Sequence, residues 1–188
     1  MNTVILTPPL AEGVIEILKI GDRVFITGDL FTARDTAHKR LVELLDRKEP
    51  LPFDLRGQII YYVGPAPARP GKPVGSCGPT TSSRMDGYAP RLMEQGLKAM
   101  IGKGQRSPEV IEAMKKHRAV YFAAIGGAGA MLAQCVKKTE VIAYADLGPE
   151  AIRKFTVEMF PVVVINDING GDIYRQAVQS YSKGQSIF

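Results

Sequence analysis

A chain of 188 residues with 45% hydrophobic side chains can bury roughly two thirds of the surface its unfolded form exposes, so a single domain over residues 1–188 is expected. Twenty-four Lys and Arg against nineteen Asp and Glu give a formal charge of +5, which favours an anionic partner. The basic residues are scattered and Trp is absent, so a base-stacking platform is poorly supported and small anions are favoured over nucleic acid.

The N-terminal stretch lacks a basic n-region and a long apolar h-region, and no uncharged run reaches bilayer-spanning length. A soluble cytoplasmic chain that meets no membrane is therefore expected. Cys77 and Cys135 are the two cysteines and stand outside any C-x-x-C spacing, so no disulfide framework and no metal site is read from them.

In chain order, strands are predicted over 4–6 and 23–27, each closed by a turn signal, Pro8-Pro9 and Gly28-Asp29. A helix follows, with Thr32 as its cap, Asp35 three residues later, and Ala33, Ala37, Leu41, Leu44 and Leu45 on one face. Residues 58–63 read as a buried strand, opening into a proline-rich loop over 64–73. A short strand is predicted over 74–77, then a helix through Met85, Tyr88, Leu92 and Met93.

Ser107-Pro108-Glu109 begins another helix, through Val110, Ile111 and Met114, and 119–125 forms a strand running into Gly126-Gly127-Ala128-Gly129. Strands over 141–145, 153–159 and 161–165 and a helix over 172–181 complete the chain. Elements interleave in the middle, but strand follows strand at both ends, so a simple doubly wound sheet fits imperfectly.

The sharpest local feature is Gly78-Pro79-Thr80-Thr81-Ser82-Ser83-Arg84, which sets four hydroxyls and a guanidinium around a predicted helix start. A well-capped helix whose spare hydroxyls meet water is the plain alternative. Lys103, between Gly102 and Gly104, is a second cation where a ligand can approach backbone closely, but its surroundings fail the Walker phosphate-loop pattern. Arg34 opens the first helix against the dipole preference for acids, a mismatch that an incoming anion resolves, and His38 shares its face. The glycines at 126–129 fail the dinucleotide fingerprint at Leu132, so close helix packing explains them better.

Taken together, Ala33-Arg34-Asp35-Thr36-Ala37-His38-Lys39, Gly64-Pro65-Ala66, the 78–86 segment, Gly102-Lys103-Gly104 and Leu147-Gly148-Pro149-Glu150-Ala151-Ile152 resemble the class I fumarase and tartrate dehydratase family. The likeness covers nearly the whole chain, in order, and corresponds to the beta subunit of two-subunit enzymes or the C-terminal domain of fused ones. It implies an α/β fold of the three-layer swivelling β/β/α kind, and a hydro-lyase that hydrates fumarate to malate reversibly.

The resemblance also implies a [4Fe–4S] cluster held by a partner alpha subunit, with no metal bound by this chain alone, and a hetero-oligomer acting on a small dicarboxylate. Position by position, Arg34, Arg84 and Lys103 are expected to grip carboxylates, Thr80 and Thr81 to lie against the reacting carbons, and Thr80 to transfer the proton. In an isolated chain the cations are expected to lie exposed and apart. L-tartrate dehydratase is the nearest rival within the same chemistry. A dicarboxylate-sensing module without catalysis and a nucleotide-binding domain at residues 126–129 are rivals of other classes.

Overall fold

The computed structural model describes residues 2–182. Its elements are β1 (Thr3–Leu6), α1 (Glu12–Glu16), β2 (Arg23–Thr32), α2 (Asp35–Asp46), β3 (Ile59–Tyr61), α3 (Ala89–Glu94), β4 (Ala99–Gly102), α4 (Pro108–His117), β5 (Val120–Ala123), α5 (Gly129–Cys135), β6 (Val136–Ala143), β7 (Ile152–Asn166) and α6 (Ile173–Ser182). Stretches of 3-10 helix at Ser82–Met85 and Ala145–Glu150 precede α3 and β7. No helix among the described residues is long and apolar enough to cross a membrane.

The fold is α/β with a mixed sheet. β2, β3, β4 and β5 lie parallel in that order, β7 runs antiparallel to β5 and to β2, and the β2–β7 pairing closes these strands into a ring. β1 extends β2 in parallel, and β6 extends β7 antiparallel. Closing so few strands demands sharp curvature. A register shift between Ile26 and Gly28 supplies it, with Gly28 at φ 125° and, on the facing strand, Met159 at φ 50°. Thr27 Oγ1 accepts the Met159 N–H at 3.0 Å.

Both faces of the central strands are apolar, which is why 58–63 reads as an unbroken hydrophobic run. Ile59, Tyr61 and Val63 join Val24, Ile26, Leu30, Phe122 and Phe160 in one buried cluster. Ile60 and Tyr62 point the other way, where Leu41 of α2, Leu92 of α3 and Met114 of α4 cover them. The helical periodicities seen in α2 and α4 thus pack on one sheet face.

Several predicted boundaries move. The 74–77 stretch is not a strand. It is the return arm of the proline-rich loop, held by Ala66 N–H to Ser76 O at 2.8 Å and Gly75 N–H to Ala66 O at 3.1 Å. The strands predicted over 153–159 and 161–165 are one strand, β7. Pro161 falls between Val157, the last residue of β7 paired to β6, and Val163, where pairing to β5 begins, a stretch in which that edge has no ladder for proline to interrupt. The strand predicted over 141–145 is the end of β6, which starts at Val136.

Candidate functional site

The C-terminal ends of β2, β3, β4 and β5 share one end of the ring, the usual place for a ligand in a parallel α/β sheet. There Thr80–Ser82 enters as a wedge. Below the wedge β3 bonds directly to β4, through Tyr62 N–H to Ile101 O at 2.8 Å; above it, Thr80 N–H donates to Tyr62 O at 2.7 Å, Lys103 N–H to Thr80 O at 3.2 Å and Ser82 N–H to Lys103 O at 2.9 Å. Thr81 and Lys103 are therefore bridged backbone to backbone. Gly102 makes the wedge possible, because a Cβ there would collide with Ser82 Oγ and lie 3.2 Å from Thr80 O.

Thr80 is half-buried and Thr81 and Lys103 are exposed. Among the described residues neither the Thr80 hydroxyl nor the Lys103 ammonium has a hydrogen-bond or ion-pair partner, so both are available to a ligand. Ser82 has a different role. It is fully buried, and its Oγ lies 2.9 Å from the Tyr121 hydroxyl, which itself donates to Gly104 O at 2.9 Å. Ser82 must then be the donor to Tyr121.

Arg84 and Arg34 meet through Asp35. Arg84 Nε donates to Asp35 Oδ1 at 2.7 Å, and Arg34 Nε lies 3.7 Å from Asp35 Oδ2. Arg34 Nη2 lies 3.5 Å from Glu150 Oε1, and Glu150 Oε2 accepts the Thr36 N–H at 3.2 Å. Glu150 thus occupies the start of α2, and the charge mismatch there is answered by Glu150 and Asp35 within the chain, not by an external anion. The wall behind Arg34 is Gly64, where a Cβ would stand 2.6 Å from Arg34 Nη1.

Thr32 does not cap α2. It ends β2, and its hydroxyl accepts the Arg153 N–H at 3.1 Å, while Arg34 holds the N-cap position in extended backbone. The helix predicted from Met85 is also broken. Only the 3-10 stretch Ser82–Met85 follows Thr81, and α3 starts at Ala89 with proline in its first turn, so no α-helix begins at the wedge itself. What the loop offers a ligand is the Arg84 guanidinium and the threonine hydroxyls.

His38 is structural. It is buried, and Nδ1 donates to Arg34 O at 2.9 Å. Its ring stands edge-on to Tyr62 at 5.1 Å. Burial, opposed by the Arg34 hydrogen bond and reinforced by the charge of Arg106, lowers its pKa from 6.5 to about 4. The unfolded chain takes up a proton in this range before the folded chain does. The contribution of His38 is therefore complete above pH 6.5 and is lost as pH falls towards 4, up to about 3 kcal/mol. A His38→Phe variant is expected to show a flatter loss of stability over that range, measured by urea unfolding from pH 7 to 4.

The sequence reading missed Asp35 and Glu150 as partners of the arginines, and Arg106 and Asp86 beneath the loop. A cavity of about 290 Å³ lined by Pro65, Ala66, Pro149 and Arg153 among others is not lined by Arg34, Arg84 or Lys103. Arg34 and Arg84 are drawn together by Asp35, where the expectation had all the cations apart. Their side chains are 22% and 50% exposed, so both can be reached from solvent.

The sequence places this site among known proteins. Residues 1–177 match the family model described as Fumarase C-terminus. The chain belongs to this fumarase C-terminal family. It is 42% identical over 170 residues to the aerobic class I fumarate hydratase of Salmonella typhimurium, covering 89% of this chain and 29% of that protein. It is 43% identical over 161 residues to the anaerobic class I enzyme of Escherichia coli, covering 85% and 29%. A Methanocaldococcus jannaschii protein provisionally named L(+)-tartrate dehydratase subunit beta is 38% identical over 165 residues, covering 85% of both chains. The chain thus spans under a third of the length of these two fumarate hydratases.

The donor set of this family member does not fit an iron–sulfur cluster, whose irons are held by cysteine thiolates. Cys77 is buried and its thiol is pushed up to about 12 by burial. Cys135 lies on α5, and no group of three or more His, Cys, Asp or Glu among the described residues is arranged to hold a metal ion.

Proposed function

We propose that this chain grips a small 2-hydroxy dicarboxylate and works as the beta partner in its reversible dehydration, with fumarate and malate as the substrate pair. The observation that carries the reading is the single piece of backbone from Thr80 to Arg84, bridged to Lys103 on one side and tied through Arg84 and Asp35 to Arg34 on the other. Three cations against the carboxylates of Asp35 and Glu150 leave positive charge for a dianion, and a guanidinium meets a carboxylate with two parallel hydrogen bonds.

In this reading Arg34, Arg84 and Lys103 hold the two carboxylates in one orientation and stabilise the charge that spreads into a carboxylate as the carbon–hydrogen bond breaks. The Thr80 hydroxyl is the proton-transferring group, and the charge of Lys103, whose backbone N–H bonds Thr80 O, favours the alkoxide that a threonine needs in order to act as a base. The [4Fe–4S] cluster belongs to a partner alpha subunit in a hetero-oligomer, and the present domain swivels to close its open cation face against that partner.

Dehydration of L-tartrate is the second reading, supported by the likeness to the Methanocaldococcus jannaschii protein over 85% of both chains. Anaerobic co-expression with the alpha chain, followed by assays on fumarate, malate and L-tartrate, separates the two by their kcat/KM values. Turnover of fumarate or malate with little of tartrate is expected. A cluster-loaded complex that binds dicarboxylates but turns over none would favour a sensing module instead.

A further inference from the structure

Beneath the loop that carries Thr80, Thr81 and Arg84 lies a charge for which the substrate chemistry has no use. The Arg106 side chain has 0% exposure. Its guanidinium carbon sits 5.5 Å from the centre of the Tyr62 ring and 5.1 Å from that of Tyr121. Arg106 Nε donates to Asp86 Oδ1 at 2.7 Å, and Asp86 Oδ2 accepts the Ser107 N–H at 2.8 Å. Burial works against its charge, but Tyr62, Asp86 and Tyr121 outweigh that and raise its pKa above the ordinary value.

The same cluster holds the loop at both ends. Asp86 directly follows the 3-10 stretch Ser82–Met85. The Tyr121 hydroxyl joins Ser82 at the loop's start to the carbonyl of Gly104, the residue after Lys103. Four residues of the grip or its frame (Thr81, Ser82, Arg84 and Lys103) are thus within two residues of an atom bonded to this cluster.

Stability alone does not account for such a group, because a buried ion pair is commonly matched or bettered by apolar side chains of similar volume. What a planar guanidinium adds is direction: held against two rings, it offers its Nε–H along one line, which a flexible ammonium does not. We propose that Arg106 is a positioning residue for the substrate grip, acting through Asp86 and the Tyr121 ring on Arg84, Thr81 and Lys103. This rests on the functional reading above, and its test keeps the two apart.

The test uses the assembled, cluster-loaded complex with Arg106→Lys, Arg84→Ala and the double variant. Arg106→Lys is expected to raise KM for the dicarboxylate about tenfold while kcat changes less than about threefold. In the Arg84→Ala background the same change is expected to raise KM by no more than about twofold, since the group it positions through Asp86 is gone and only the smaller share acting through Tyr121 is left. Tyr121→Phe, which removes one hydroxyl and keeps the ring, is expected to repeat the pattern on a smaller scale and covers the case in which Arg106→Lys does not fold.

KM increases that multiply independently in the double variants would overturn the positioning role, as would an Arg106→Lys complex with unchanged KM. A wild-type complex inactive on fumarate, malate and tartrate would overturn the functional reading, and the positioning role with it.

Discussion

Arg84→Ala is expected to lower kcat/KM of the assembled complex by roughly a hundredfold. A charged hydrogen bond to a carboxylate contributes about 1.5–3 kcal/mol, and its loss alone spans roughly ten- to more than a hundredfold at 1.4 kcal/mol per decade. Asp35 then loses its shortest contact and is left to Arg34, whose guanidinium shifts with it. Thermal stability should change little, because Arg84 is half exposed and such surface pairs contribute at most about 1 kcal/mol. Arg84→Lys should recover only part of the activity, since an ammonium cannot hold Asp35 and a carboxylate in one plane. Steady-state kinetics and a melting curve on the same preparations separate a lost grip from a lost fold.

Gly102→Ala should act through room, not through backbone strain. The added Cβ would collide with Ser82 Oγ and lie 3.1 Å from Tyr62 Cδ2 and 3.2 Å from Thr80 O, and all three neighbours are packed. Overfilling a tight core site costs about 1–3 kcal/mol, a fall of roughly 2–4 °C in Tm per kcal/mol for a chain of this size. Activity should fall further than stability, because the carbonyl pushed aside is the one that receives Lys103 N–H. Gly13→Ala is the control: nothing lies within 4 Å of a Cβ there, and α1 should tolerate or welcome it.

The parts of the site carried by contiguous residues were legible. The hydroxyl-rich 78–84 segment, Gly102-Lys103-Gly104 and Arg34 each stand out in the sequence, and the resemblance joins them. Of the glycines at 126–129, for which close packing was predicted, Gly129 alone is tightly packed: a Cβ there would stand 2.8 Å from Gly78 N, whereas nothing lies within 4 Å of one on Gly127, whose φ of 84° is what calls for glycine.

What lay beyond reach was pairing between distant residues. Asp35 looks like an ordinary helix-start acid until Arg84, 49 residues later, is found on it. The ring closure rests on β2 meeting β7, and no local pattern announces which strand will close a sheet. Arg106 sits just before a helix start, a position that reads as solvent-exposed, yet its side chain is buried against the rings of Tyr62, just beyond β3, and Tyr121 of β5. The break between Met85 and α3 could have been read, because Pro90 two residues after Tyr88 suits a helix start and not its middle.

Whether this chain supplies the grip while its partner supplies the cluster is decided by an anaerobic titration of a fixed amount of cluster-loaded alpha chain with the present chain, following fumarate hydration. Negligible rate is expected from either chain alone, with a rate that saturates at one chain per partner, and an Arg84→Ala chain that saturates at the same ratio with roughly a hundredth of the kcat/KM. Full activity from the alpha chain alone, or an Arg84→Ala chain as active as the wild type, would contradict this division of roles.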